Sequence, residues 1–309
     1  MNKRIVFMGT SDFAVPILKS LYQNGYPISA VYTQPPKKSH RGQKYNKSPI
    51  HIFSETLNYE VRTPETLKNN DQEKEFFKNL KLDLVIVVAY GKIIPKEYLN
   101  LSNKGFINIH ASLLPKWRGA APIQRSLMNL DKKTGISIMK INEKMDEGPI
   151  YGIFSMPIEN NENAQDLSLR LAKLASEKIL FCLDEIFENK AVFKSQNHNE
   201  ATYADKISKS EGKILWNEHA NKILGKINGL YPSPGAWFLH KSERYKILKA
   251  EISNAKGQPG LILNENFEVG CKDFSIKILE IQREGKKAQK IKEFLLGTQI
   301  KKGTNLKNA

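Results

Sequence analysis

Two hydrophobic periods alternate along roughly the first 190 residues of the chain. Residues 4–8 and 28–33 are short, mostly apolar runs, 83–90 is a near-continuous β-branched one, and 106–110 begins as an apolar strand. Runs of this kind read as strands buried on both faces, as in a parallel sheet. Between them, apolar residues recur at helical spacing. Phe13, Val15, Ile17, Leu18 and Leu21 predict a helix that starts at Ser11 or Asp12 and stops near Gly25. Helices are also expected over 48–57 and 64–80, with a short strand over 60–62 between them. Residues 134–141 and 151–158 read as two more strands, and 166–187 as a long helix. Alternating strands and helices imply an α/β domain built on a mostly parallel, Rossmann-like sheet. In such sheets the ligand crevice lies beyond the carboxyl ends of the strands.

The pattern changes after this helix. Residues from Lys190 onward, through Ser195-Gln196-Asn197-His198-Asn199, carry no apolar period and read as a linker. A short helix over 219–228 follows, and then short strands at 245–248, 260–263 and 274–279 separated by Gly/Pro turns. Evenly spaced short strands predict a small β-barrel. The expected organisation is therefore an α/β domain over 1–189, a linker over 190–203 and a barrel domain over 204–309.

Composition narrows the class. A chain of 309 residues with 40% apolar residues has room for two cored domains. The longest early apolar run is too short for a leader or a membrane span, and two cysteines cannot staple a secreted scaffold, so a cytoplasmic protein is expected. The net charge of +16 is unevenly spread. Residues 1–50 hold 8 Lys/Arg against one Asp/Glu, residues 51–200 balance at 20 each, and residues 201–309 hold 20 against 11. Basic segments on either side of a neutral middle suit a polyanion gripped from two places. The first excess is concentrated in a long polar loop over 34–48, with Lys37, Lys38, Arg41, Lys44 and Lys47. The opening strand and turn lack G-x-G-x-x-G and a P-loop lysine, and no histidine is spaced for a metal, so no metal is expected.

The chemistry concentrates around residues 106–123. Asn108 and His110 stand two apart on a strand, so both point to one face at its carboxyl end. An amide and an imidazole together suit a developing oxyanion. Gly119-Ala120-Ala121 leaves room for close approach, and Pro122 suits the first turn of a helix. Asp146, in Met145-Asp146-Glu147-Gly148-Pro149, offers a carboxylate that could orient the imidazole. Taken singly, each residue has an ordinary structural explanation. Together with Ser112-Leu113-Leu114-Pro115 they resemble the active site of the formyltransferases that use 10-formyltetrahydrofolate. The longer run from Asn108 to Gln124 is similar to the methionyl-tRNA formyltransferase family in particular.

That resemblance extends over essentially the whole chain and has specific implications. Asn108, His110 and Asp146 would be catalytic, and Ser112, Leu113, Leu114 and Pro115 would line the site of the 10-formyltetrahydrofolate co-substrate. The barrel would be OB-like. The basic loop, with Arg41 foremost and Lys37, Lys38 and Lys44 beside it, would contact methionyl initiator tRNA. The formyl group would pass to the α-amine of the methionine, in a protein expected to act as a monomer without a membrane. Two other readings share these features: another 10-formyltetrahydrofolate-dependent formyltransferase or hydrolase, and a non-catalytic RNA-binding protein on the same scaffold.

Overall fold

The computed structural model describes residues 3–39, 44–298 and 300–306. The chain divides into two units. The first comprises residues 1–120, 135–156 and 168–204, and the second comprises 121–134, 157–167 and 205–309.

The first unit is organised on a seven-stranded sheet. Its strands are β1 (Ile5–Gly9), β2 (Ile28–Tyr32), β3 (Val61–Arg62), β4 (Leu84–Val88), β5 (Phe106–His110), β6 (Lys133–Lys140) and β7 (Ile150–Pro157). Their spatial order is β7-β6-β5-β4-β1-β2-β3. The pairs β2–β3, β1–β2, β1–β4 and β4–β5 are parallel, and β6 returns antiparallel to β5. Every residue of β1 and β4 is buried, which is why both strands read as unbroken apolar runs. One face of the sheet packs Val6, Met8, Val85 and Val87 with Phe77, Tyr98 and Phe106.

Helices α1 (Val15–Gln23), α2 (Pro49–Thr56) and α3 (Asp71–Asn79) connect the early strands. The expected start of α1 is displaced. Ser11 makes no side-chain cap bond; a single 3-10 turn over Asp12–Ala14 comes first, and Pro16 stands in the first turn of α1. Proline suits that position because it has no N–H to leave unpaired. Ser48 does cap α2, its hydroxyl accepting from His51 N at 3.0 Å. The expected helix over 64–80 is shortened to α3, because Asn70 caps it by accepting from Glu73 N. The residues before Asn70 run as loop instead of continuing the helix toward Pro64.

In the second unit, α4 (Pro122–Met128) and α6 (Ala220–Gly229) flank the sequence position of the long helix α5 (Ala164–Phe187), which contributes to both units. An antiparallel sheet follows, made of β8 (Ala236–His240), β9 (Glu243–Ser253), β10 (Glu268–Gly270) and β11 (Ser275–Arg283), in the order β8-β9-β11-β10. The strand β12 (Gln289–Lys290) pairs with β11. The residues expected as a strand over 260–263 form only isolated bridges, at Leu261 and Ile262. Trp216, Ile223, Ile227, Phe238, Tyr245 and Ile278 are among the side chains that fill this unit's own core. A mostly parallel sheet followed by a β unit is the architecture that the hydrophobic periods imply. The boundaries differ, since residues 121–134 and 157–167 cluster with the second unit although they precede residue 189. Hydropathy along the chain cannot show such an exchange, because it reports burial and not which core does the burying.

Candidate active site

Strand β5 ends at His110, and the pleat sends Asn108 and His110 to the same face. On the antiparallel neighbour, Met139 lies opposite Asn108 and Ser137 opposite His110. Asn108 is half-buried, and His110 is only 6% exposed.

Asp146 arrives from the loop between β6 and β7. Its Oδ1 accepts a hydrogen bond from Asn108 Nδ2 at 3.2 Å, and its Oδ2 accepts one from Gly119 N at 2.9 Å. The same Oδ2 lies 3.5 Å from His110 Nδ1. One carboxylate thus gathers an amide, an imidazole and a main-chain N–H. On the far side of the ring, His110 Nε2 is 2.8 Å from the carbonyl oxygen of Trp117. A carbonyl can only accept, so Nε2 carries a proton. The imidazole is therefore held between two acceptors, and a proton arriving at Nδ1 is met by a carboxylate oxygen. Asn108 keeps a second N–H whose partner is not found among the described residues.

The backbone around these groups is held in unusual conformations. Ala89 (φ 47°), Trp117 (φ 62°) and Asp146 (φ 54°) all lie in the left-handed region. Such residues cost stability and persist where their surroundings over-determine them, often at functional sites. Gly119 has φ 121°, and a Cβ there would stand 2.8 Å from the Ala204 carbonyl oxygen. Only glycine can bring its N–H to Asp146 at that point.

The segment expected to receive the folate divides in two. Ser112 and Leu114 face inward. Ser112 Oγ donates to Lys116 O at 2.6 Å, and Leu114 packs with Met139 and Ile150. Ser137 Oγ links them, donating to Ser112 O at 2.7 Å and accepting from Leu114 N at 3.0 Å. Leu113 and Pro115 are half-buried and keep surface to present. The Leu114–Pro115 peptide is cis.

The basic loop lies apart from this group. Its described stems, Lys37–Ser39 and Lys44–Asn46, pair antiparallel, which sets Lys38 opposite Tyr45 and Lys44 opposite Ser39. Lys37 is exposed, and its Nζ donates to Gln34 Oε1 at 2.5 Å. Gln34 Nε2 in turn donates to Tyr90 O at 2.9 Å, anchoring the loop's root at the carboxyl end of β4. Arg41 lies outside the described residues.

A formyl transferase family model matches residues 3–182, and a model of the formyl transferase C-terminal domain matches residues 206–299. The chain belongs to the formyl transferase family. Among curated relatives, it is 63% identical to a methionyl-tRNA formyltransferase of Pelagibacter ubique over 309 residues, covering 100% of each chain. It is 42% identical to a methionyl-tRNA formyltransferase of Caldanaerobacter subterraneus subsp. tengcongensis, covering 98% of this chain and 100% of that one. Among solved structures, it is similar to an N-formyltransferase from Helicobacter canadensis in complex with folinic acid and dTDP-3-aminofucose. That match has a TM-score of 0.69 at 19% identity, covers 92% of this chain and 100% of the other, and speaks for the fold.

Two features escape a linear reading of this formyl transferase chain. Trp117 and Gly119 act through main-chain atoms, which leave no mark in residue type beyond the glycine. Gln196 stands in the polar stretch read as a linker, yet its Nε2 donates to Asp146 O and to Gly148 O, each at 2.8 Å. A cleft of about 670 Å³ also opens at the other end of the sheet, lined by Lys96, Phe106, Lys140 and Phe193 among others. It holds none of the polar groups gathered by Asp146, and it lies at the amino end of β5, where this sheet class does not place its chemistry. Among the described residues, no group of three or more His, Cys, Asp or Glu is placed to hold a metal, and no helix is long and apolar enough to cross a membrane.

Proposed function

We propose that this chain transfers the formyl group of 10-formyltetrahydrofolate to the α-amine of methionyl initiator tRNA. The observation that carries the reading is the convergence of Asn108, His110 and the Gly119 N–H on Asp146 at the strand end. The end-to-end identity with methionyl-tRNA formyltransferases narrows the acceptor to methionyl-tRNA. The folinic acid named for the structural relative supports a formyl-folate donor.

The residues suit the chemistry. The methionyl amine attacks the formyl carbon, a new C–N bond forms, and the formyl oxygen gains negative charge. The second N–H of Asn108 is the group free to donate to it. The amine must shed a proton as it attacks, and Asp146 with His110 takes it up, because Nδ1 and Oδ2 face each other across 3.5 Å. The bond from the formyl carbon to the folate N10 then breaks, and N10 leaves carrying a proton. His110 serves charge through Asp146 in this scheme, since its Nε2 is held by Trp117. Leu113 and Pro115 offer the apolar wall for the pterin. Arg41, Lys37, Lys38 and Lys44, with the basic second unit, would hold the tRNA phosphates.

The test is formylation by purified protein of charged initiator tRNA, charged elongator tRNA, and small amine acceptors including an amino sugar nucleotide. Initiator tRNA is the expected acceptor, and Arg41→Ala should lower its preference over elongator tRNA. Transfer to the sugar nucleotide in place of tRNA would assign the chain to another formyltransferase class. Tight tRNA binding with no transfer to any acceptor would leave a non-catalytic RNA-binding protein.

A further inference from the structure

The polar stretch after α5 is bound to the site loop along its length. Ile150 and Lys194 exchange main-chain hydrogen bonds at 2.7 and 2.8 Å. Trp117 N donates to Thr202 Oγ1 at 2.9 Å, Arg118 N to Thr202 O at 2.9 Å, and Ala120 N to Ala204 O at 2.8 Å. At the middle of this brace Gln196, 7% exposed, donates both amide hydrogens to the carbonyls of Asp146 and Gly148. Its Oε1 is occupied by Arg118, which is 2% exposed and donates through Nε at 3.1 Å and Nη2 at 2.8 Å. Arg118 Nη2 also meets His198 Nδ1 at 3.1 Å, and its Nη1 lies 3.4 Å from Glu147 Oε1. The carboxamide thus has no freedom to flip, because the guanidinium dictates which end is oxygen and which is nitrogen.

We infer that Gln196 is a positioning residue for catalysis: oriented by buried Arg118, it clamps the left-handed turn that holds the Asp146 carboxylate against Asn108, His110 and Gly119. The inference rests on the assignment of Asp146 to the proton-accepting role. The physical case has three parts. A turn residue at φ 54° relaxes when its restraints are removed. Two carbonyls on one donor group define the position of the turn in two directions, which a single bond would not. The main-chain N–H that reaches Asp146 belongs to Gly119, the residue after Arg118, so the arginine and its glycine neighbour hold the turn from its backbone and its side chain together. A buried arginine engaged on three partners fixes geometry in a way that a surface pair does not.

Gln196→Glu separates positioning from simple filling of space. Glutamate keeps an oxygen for Arg118, with added charge attraction, but turns an acceptor toward two carbonyls and loses both donors. Formylation kinetics on charged initiator tRNA and selective nitrogen-15 labelling of glycine, to follow the Gly119 amide, are measured on the full chain. Asp146→Asn serves as the reference for a Gly119 amide whose bond to a carboxylate is weakened to one with a neutral oxygen. Gln196→Glu should lower kcat about 10- to 100-fold, with KM for donor and tRNA within about threefold, and should move the Gly119 resonance toward its position in Asp146→Asn. Gln196→Ala should do the same and lower Tm as well, because it also takes from buried Arg118 the acceptor of its Nε and Nη2. A Gln196→Glu protein with wild-type kcat overturns the inference. So does one in which kcat falls while the Gly119 resonance stays at its wild-type position. If Asp146→Asn itself retains wild-type kcat, the role given to Asp146 is what fails, and the Gly119 resonance still reports whether Gln196 holds the turn.

Discussion

Replacing Asp146 by asparagine keeps the shape of the side chain and removes its charge. The wild-type carboxylate is 12% exposed and accepts from Gly119 N at 2.9 Å and Asn108 Nδ2 at 3.2 Å while facing His110 Nδ1. An asparagine has one oxygen to serve these donors. The Gly119 N–H is fixed by the backbone and claims that oxygen, which leaves an NH2 opposing the NH2 of Asn108. Asn108 must then flip, turning its own oxygen toward residue 146 and taking its amide hydrogens out of their former positions. Two contributions fail together. Loss of the proton acceptor alone is worth about 10²- to 10⁴-fold, and loss of an oxyanion donor about 10²- to 10³-fold. Because Asn108 and Asp146 act as one unit, the losses do not multiply, and a fall in kcat of about 10³-fold or more is expected. Stability should change by no more than about 1 kcal/mol, since relief of a desolvated carboxylate offsets the lost charge-assisted bonds. Single-turnover formylation at saturating donor, beside urea unfolding of both proteins, measures the two quantities. A folded Asp146→Asn variant within tenfold of wild type in the single-turnover rate would refute the reasoning. KM for donor and tRNA should change little, because Asp146 acts on the proton that moves in the transition state and not on ground-state binding.

Two further expectations concern stability. Gly119→Ala sets a Cβ 2.8 Å from Ala204 O at a φ of 121°, so it should cost about 1–3 kcal/mol in urea unfolding and reduce kcat as the amide leaves Asp146; unchanged stability would show that the close approach is relaxed in solution. In the second unit, the Ala220 and Phe274 amides and His219 surround Asp273, and the hydrogen bond from Ala220 N is foremost in lowering its carboxyl from 3.8 to about 2. A folded-state value below the unfolded one stabilises the native state above pH 4, and the contribution is lost progressively as pH falls from there toward 2. Asp273→Asn should therefore destabilise by about 1 kcal/mol at pH 6, after allowance for solvent screening, and the gap to wild type should narrow at pH 3. A gap that widens on acidification would contradict the assignment.

Much of the fold and part of the site were legible in the residues alone, for reasons that are local. Unbroken apolar runs marked β1 and β4 because both faces of a parallel sheet are covered, and that demand is visible residue by residue. A spacing of two put Asn108 and His110 on one face because the pleat allows nothing else. The order Asn-x-His-x-Ser-Leu-Leu-Pro was specific enough to point to the family. Helix starts were less legible. Ser48 caps α2 but Ser11, a candidate cap for α1, makes no cap bond, and α3 begins at Asp71 instead of near Pro64, since several residues in each stretch compete to cap.

Tertiary structure alone decided how the site is assembled. Nothing in the composition of residues 190–203 distinguishes a free linker from a brace, because the bonds that tie it to the site loop join residues far apart in sequence. Gln196 reads as one polar residue among several until the fold brings it beneath Asp146, 50 residues earlier in the chain. The Gly119 N–H and the Trp117 carbonyl belong to every residue type alike, so their aim depends on backbone angles set by neighbours distant in sequence. Side-chain chemistry is written in the sequence. The direction of a peptide group, and the burial that makes Arg118 rigid, exist only once the chain has closed around them.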